Sequence, residues 1–370
     1  MRIKRFVNQN PVKLQNSLKQ FKRWRKERIR KLRLKDYSYR VPNVEPDVLF
    51  LHQNNMQPSI TWIGHSTFLI QLAGLNIVTD PIWAGQMAFQ KRLSPPGIPI
   101  QDVPPIDIVL ISHSHYDHLN ISSLRQLAGA KQILVPAGLS AKLRLRGFTN
   151  VQELNWWEAV TVRGVKFTFV PSQHWARRNP WDTNLSHWGG FVMEVQQSTI
   201  ENSGEHVPSK EQAEAALSPY REAAISSYGL KETIKQTKDL VSAKKLSHVA
   251  ERPIVSASPT IYFAGDSGYF DGFKEIGSRF RIDVTLMPIG AYEPEWFMGP
   301  QHVTPEEALQ AFEDTCAGWF VPMHYGAFKL ADDTPREALD RLEAERCRRT
   351  IKEDRIVILP HGETWRLTEH

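Results

Sequence analysis

The stretch SHSHYDH, Ser112–His118, puts three histidines and an aspartate within six positions, directly after the apolar run IDIVLI. Thirteen histidines are spread over 370 residues, so this local density calls for a chemical reason. The apolar run reads as a short buried strand. Histidines two positions apart on extended chain point to the same side, so His113 and His115 can share one ion. Asp117 and His118, in the turn that follows, can face a second. Imidazole nitrogens and carboxylate oxygens suit borderline divalent metals, zinc foremost, with iron and manganese also compatible. The end of a strand is where open α/β sheets hold their sites.

One loop cannot supply every ligand for two ions. Three further segments place a ligand-type residue just past an apolar, strand-like run: His174 in VPSQHW, Asp266 in FAGDSG and His324 in VPMHYG. A fold that joins these ends at one edge would hold two ions roughly 3.5–4 Å apart, with a hydroxide between them to attack and positive charge to stabilise the leaving oxygen.

The rest of the chain fits a layered α/β fold. ITWIGHSTFLIQLAGLNIVTDP reads as two β-rich runs around AGLN, a hairpin. IDIVLIS and QILVPA are buried strands on either side of the helix-like ISSLRQLAG. VQELNWWEAVTVRGVKFTFVPSQH, WGGFVMEV, PTIYFAGD, DVTLMPIG and GWFVPMHYG add more strands. Helix starts are expected at Thr304 and Thr334, each followed by Pro and then a Glu that closes a capping box. Residues 196–258 are polar and almost free of aromatics, with weak helical periodicity around Leu230–Lys245. They read as an insertion, either decorating the fold or forming a lid over the site.

Charge divides the chain. Residues 1–40 hold 15 Lys and Arg against Glu27 and Asp36, a net +13 within a total of +6, so the rest carries −7. Residues 1–45 are therefore read as a basic arm and linker and residues 46–370 as the catalytic domain. The arm carries a loose apolar stripe (Leu14, Leu18, Phe21, Ile29, Leu32). It would lie on an anionic membrane, bind nucleic acid non-specifically, or stay solvated. Specific nucleic-acid binding is not expected, because the positive charge lies outside an acidic body. Two distant cysteines, Cys316 and Cys347, exclude a thiolate zinc knuckle and suit a reducing compartment. The start lacks the apolar centre of a signal peptide. The expected location is cytoplasmic, or peripheral on the inner membrane face.

The order HxHxDH, His, an Asp in a GD turn, His resembles the metallo-β-lactamase fold hydrolases, which implies an α/β fold, an αββα sandwich. TWIGHST, TDPIW, NWWE, PSQHW, FAGDSGY, IGAYEPEWFM and QHVTPEEA narrow the resemblance to the branch of phospholipases D that hydrolyse N-acyl-phosphatidylethanolamine. The resemblance implies His113, His115 and His174 on a first zinc, Asp117, His118 and His324 on a second, and Asp266 bridging them. It implies Asp80 as the carboxylate that orients a liganding histidine, His302 beside the substrate phosphate with Gln301 near it, and Tyr116 and His65 lining the cleft. Asp117, His302 and Tyr116 are the expected catalytic residues. The implied substrate is a phospholipid, and association as a homodimer is implied too. Tyr325 departs from the tryptophan usual after the last liganding histidine. A lactonase or other soluble-ester hydrolase, or a nuclease, of the same fold is the alternative. Of Trp156, Trp157, Trp175, Trp181, Trp188 and Trp296, about half are expected in the core and the rest at a lipid groove or interface.

Overall fold

The computed structural model describes residues 5–10, 18–32, 35–87, 90–196 and 258–367. The expected insertion, its helical periodicity around Leu230–Lys245 and its role as a lid lie almost wholly outside the described residues. Leu14 of the expected apolar stripe lies outside them as well.

In chain order the strands are Ser59–Gly64 (β1), Thr67–Leu72 (β2), Leu75–Thr79 (β3), Gln86–Met87 (β4), Gln90–Lys91 (β5), Ile108–Leu110 (β6), Gln132–Pro136 (β7), Val151–Leu154 (β8), Ala159–Val162 (β9), Val165–Val170 (β10), Gly190–Val195 (β11), Ile261–Phe263 (β12), Val284–Pro288 (β13), Trp319–Met323 (β14) and Thr364–Arg366 (β15). Seven form one sheet in the order β15-β1-β2-β3-β6-β7-β8. Six form a second in the order β14-β13-β12-β11-β10-β9, and β4 and β5 make a small ribbon. β3, β6, β7 and β8 run parallel in the first sheet and β12, β13 and β14 in the second, whereas β10 is antiparallel to both of its neighbours.

Strand periodicity explains the layering. In β6 and the residues after it, Ile108 and Leu110 join the core shared with the second sheet, while Val109 and Ile111 face Leu124, Leu139 and Leu143 on the other side. Ile77 and Val78, and Leu134 and Val135, divide in the same way. A strand buried on both faces must be apolar at every position, as this one is. Each fully buried Leu, Ile or Phe contributes about 1.5–3 kcal/mol relative to exposure. Helices Ile121–Gln126 and Ser140–Arg144 cover the first sheet. Gly272–Arg279 and Pro305–Asp314 join the second through Phe273, Ile276, Leu309 and Phe312. This is the αββα sandwich of the metallo-β-lactamase fold.

Both capping boxes form: Thr304 and Thr334 accept from the amides of Glu307 and Glu337, whose carboxylates accept in return. The expected single hairpin around AGLN is instead three strands. GHS turns β1 into β2 with His65 in the left-handed region (φ 59°), and only then does AG turn β2 into β3. A polar triplet inside an apolar run conceals a tight turn from a reading based on periodicity.

Helix Leu18–Leu32 meets the body through Trp24, Glu27 and Arg28. Trp24 stacks on Phe297 at 6.0 Å, Glu27 accepts from the Trp296 indole at 2.9 Å, and Arg28 pairs with Asp332 at 3.2 Å. Lys22, Arg25 and Lys26 remain exposed. No helix among the described residues is long and apolar enough to cross a membrane.

Candidate metal centre

Five strand ends converge on one edge of the sandwich. After β3, Asp80 sits at φ 33° with its amide donating to Leu110 O, which locks it to the end of β6. Its carboxylate accepts from the Ser112 amide at 2.7 Å, the Ser112 hydroxyl at 2.6 Å and Nδ1 of His118 at 2.6 Å. The Ser112 hydroxyl, having donated to Asp80, accepts from Nδ1 of His113 at 2.9 Å. His174, after β10, donates from Nδ1 to the carbonyl of Gln301 at 2.9 Å. In His113 and His174 the Nδ1–H bond fixes the tautomer and leaves Nε2 unprotonated and turned inward, and in His118 it turns Nε2 toward the carboxylates of Asp117 and Asp266. Asp266 follows β12 and Gly265, whose φ of 63° and close contact with Ser112 admit no side chain. His324 follows β14, itself left-handed (φ 63°), with its amide donating to His65 O at 3.2 Å.

The inward atoms form two trios. Nε2 of His113 lies 2.9 Å from Nδ1 of His115, which lies 3.3 Å from Nε2 of His174. Nε2 of His118 lies 3.3 Å from Nε2 of His324 and 3.3 Å from Oδ2 of Asp117, which is 3.5 Å from His324. Oδ2 of Asp266 sits between the trios, 3.1 Å from His118 and His324 and 3.9 Å from His113 and His174. Donors about 2.0–2.1 Å from a tetrahedral zinc are separated by about 3.4 Å, close to most of these spacings.

Charge supports the same fit. Burial keeps His113 and His174 well below the ordinary imidazole range and brings His115 down to about 4, so the first trio is neutral at pH 7. With lone pairs fixed on His113 and His174, a proton on Nδ1 of His115 could serve only one of them at a time, whereas a cation between the three serves all. Burial pushes Asp117 and Asp266 up, but His118 and His324 beside them outweigh it and hold both carboxylates well below their usual range. Burial pulls His118 and His324 down, yet the carboxylates win: His118 is raised, and His324 reaches about 9 with Asp266 its strongest support. Among the described residues, the ion-pair partners of Asp117 and Asp266 are all histidines. Protons on those rings occupy the role that buried carboxylates leave for metal cations. The donor set therefore fits a pair of divalent cations, His113, His115 and His174 facing one, Asp117, His118 and His324 the other, and Asp266 both.

The remaining expected residues fall at different depths. His302 is buried, its unpartnered Nδ1 3.8 Å from Oδ2 of Asp266 and its ring 5.0 Å from that of His174. His65 donates from Nε2 to Asp117 at 3.2 Å, and its ring lies 4.1 Å from that of His324. Gln301 reaches the centre through its backbone carbonyl. Tyr116 turns away from the trios: half-exposed, it donates to the Arg178 carbonyl at 3.0 Å and lies beneath that residue's guanidinium. Tyr325 is buried against Trp62, 5.1 Å between ring centres. Trp188 is buried and Trp156 and Trp157 pack on the core, whereas Trp181 is 80% exposed.

Sequence reading missed Arg178, whose Nη1 donates to the carbonyls of Ser114 (2.9 Å), His115 (3.3 Å) and Leu119 (2.8 Å) and so clamps the ligand loop. It also missed Ser112, although the serine lies inside the quoted motif. A hydroxyl adjoining such a motif is the signal that could have exposed it.

Residues 75–228 and 246–325 match the family described as Beta-lactamase superfamily domain. A nematode N-acyl-phosphatidylethanolamine-hydrolyzing phospholipase D 1, from Caenorhabditis elegans, is 26% identical over 84% of this chain and 76% of its own length. A UPF0173 metal-dependent hydrolase of Methanopyrus kandleri is 26% identical over 83% of this chain and 98% of its own. Among solved structures, a metallo hydrolase of the archaeon Ignicoccus hospitalis superposes with a TM-score of 0.52 at 18% identity, covering 84% of this chain and 97% of its own. That likeness is one of fold.

Proposed function

From the premise that this chain belongs to the beta-lactamase superfamily, as a metal-dependent hydrolase of the metallo-β-lactamase fold, we propose that it is a phosphodiesterase of phospholipase D type. Its substrate would be N-acyl-phosphatidylethanolamine or a related glycerophospholipid. The observation that carries the hydrolytic reading is Oδ2 of Asp266, placed 3.1 Å from two imidazoles of one trio and 3.9 Å from two of the other. The lipid reading rests on the nematode relative and on the aromatic motifs NWWE, PSQHW and EPEWFM.

In the proposed reaction water adds across the P–O bond on the ethanolamine side. The hydroxyl goes to phosphorus and the proton to the departing alkoxide, leaving phosphatidic acid and N-acylethanolamine. Two divalent cations, zinc by the chemistry of the donors, would supply Lewis acidity and a water acidified to a pKa of about 7. The chain's own part is to orient and to donate. Asp80 and the Gln301 carbonyl hold His118 and His174 with Nε2 inward. Burial brings His302 down to about 4, so it offers a neutral imidazole. In that form it would hydrogen-bond to a phosphate oxygen without competing as a cation. The exposed Lys22, Arg25 and Lys26 would meet anionic headgroups, each basic residue adding about 1 kcal/mol at such a surface.

The Methanopyrus relative, a metal-dependent hydrolase that aligns over nearly its whole length, bears no lipid in its name, and beside it stands a second reading: hydrolysis of a soluble ester such as a lactone. One experiment separates the two. Metal content is measured, and the protein is then offered N-acyl-phosphatidylethanolamine vesicles, phosphatidylethanolamine vesicles, a lactone panel and RNA, with His115→Ala as control. Phosphatidic acid formed from the first vesicles by the wild type alone supports the phospholipase reading. Turnover of lactone or RNA instead moves the assignment to a rival.

A further inference from the structure

We propose that the segment Arg5–Asn10 is part of the metal centre, and that Asn8 is a positioning residue for His174. The inference rests on the reading above that His113, His115 and His174 face one cation. The segment runs over the loop that follows β10. The Phe6 amide donates to Asn184 O at 2.9 Å, and its ring stacks on that of His187 with centres 4.4 Å apart. Two residues on, Oδ1 of Asn8 accepts from the Trp188 indole N–H at 2.8 Å and from the backbone N–H of His174 at 3.2 Å. The Asn10 carbonyl then accepts from the side-chain amide of Gln173 at 2.8 Å. Gln173, His174 and Trp188 are each about 1% exposed, so water does not compete for these donors.

His174 is consequently held at two points. The Gln301 carbonyl sets the rotation of its ring, and Asn8 sets the backbone from which the ring projects. The Trp188 indole has a second acceptor in the carbonyl of Ser172 at 3.1 Å. For the His174 amide, Asn8 is the acceptor among the described residues. Removing that acceptor strands a buried N–H, and the loop can satisfy it only by moving. Moving the loop displaces Nε2 from the first trio while leaving the second trio, which carries no residue of this loop, in place. The N-terminal segment thus acts on one cation site and spares the other. It is an element of the site rather than a solvated leader.

The test titrates metal-stripped protein with Zn²⁺ against a chromophoric chelator, and separately with Co²⁺, whose visible bands report coordination geometry. Asn8→Ala is expected to weaken one of two cation sites by roughly 10–100-fold, the range for outer partners of metal-ligating histidines. The other site should stay within about twofold. Asn8→Asp keeps the acceptor oxygen and is expected to restore the weakened site. Should Asn8→Ala not fold, a protease site introduced within residues 11–17 allows the folded holoprotein to be cut and the peptide that carries Asn8 to be dissociated. One site should then weaken and recover when the peptide is added back. Equal weakening of both sites, or two unchanged sites in Asn8→Ala or in the cut protein, overturns the proposal. A wild type that binds no divalent cation overturns both this inference and the hydrolase reading beneath it, whereas two tight sites indifferent to Asn8 overturn the inference alone.

Discussion

Asp80 and His118 meet through a 2.6 Å hydrogen bond, 38 positions apart in sequence and with both side chains wholly buried. That contact turns Nε2 of His118 toward Asp117, His324 and Asp266 and also gathers Ser112, the serine that orients His113. One carboxylate thereby aligns a ligand in each trio.

Asp80→Ala removes both alignments. The expected result is a loss of about 10–100-fold in metal affinity. Because the Ser112 amide, the Ser112 hydroxyl and Nδ1–H of His118 lose their buried acceptor, a stability loss of about 3–5 kcal/mol should accompany it. Isothermal titration of metal-free protein and urea unfolding read the two effects separately.

Arg178 makes a prediction about the loop rather than the ligands. Its guanidinium serves three carbonyls of Ser114–Leu119, so Arg178→Ala should destabilise the protein by about 2–3 kcal/mol. Lysine keeps the charge, but its compact ammonium lacks the planar fork. Arg178→Lys should recover part of that stability while the cation sites remain weaker than wild type, as seen by chelator competition.

Gly265 tests the presentation of Asp266. An added Cβ would lie 2.7 Å from Cβ of Ser112 and 2.8 Å from the carbonyl of Gly189, in a left-handed conformation. Gly265→Ala is expected to cost about 2–4 kcal/mol from strain and overpacking together. Asp266 would be displaced with the turn, so metal stoichiometry should fall in the fraction that still folds.

The pH dependence of stability carries a signature of His187, a buried ring stacked between Phe6 and Trp156. Burial lowers its pKa from 6.5 to about 3. Between those values the unfolded chain binds a proton that the folded chain does not, so the stabilising term is complete above pH 6.5 and is lost as the pH falls toward about 3. The slope is about 1.4 kcal/mol per pH unit. His187→Phe preserves the ring stack, and its stability should fall less steeply across that window by about one proton in denaturant titrations. An unchanged slope would assign the proton elsewhere.

Much of this centre was legible in the order of residues. A short apolar run followed by a ligand-type side chain is a local pattern, and it marked His113, His174, Asp266 and His324 at the ends of four strands. The capping boxes at Thr304 and Thr334 were equally local, since a cap and its third neighbour meet within one turn of helix. The turn at His65 was not legible, because a left-handed histidine has no mark in a hydropathy pattern.

What only the tertiary structure decided is which partner each ligand leans on. Asn8 meets His174 across 166 positions, and Arg178 meets the carbonyl of Ser114 across 64. Gln301 acts through its carbonyl, an atom that every residue possesses. Chemistry-bearing side chains can be read one at a time, because their donors and charges belong to the residue. The buried hydrogen bonds that aim them belong to pairs, and a pair exists only once the sheets have packed and water has left.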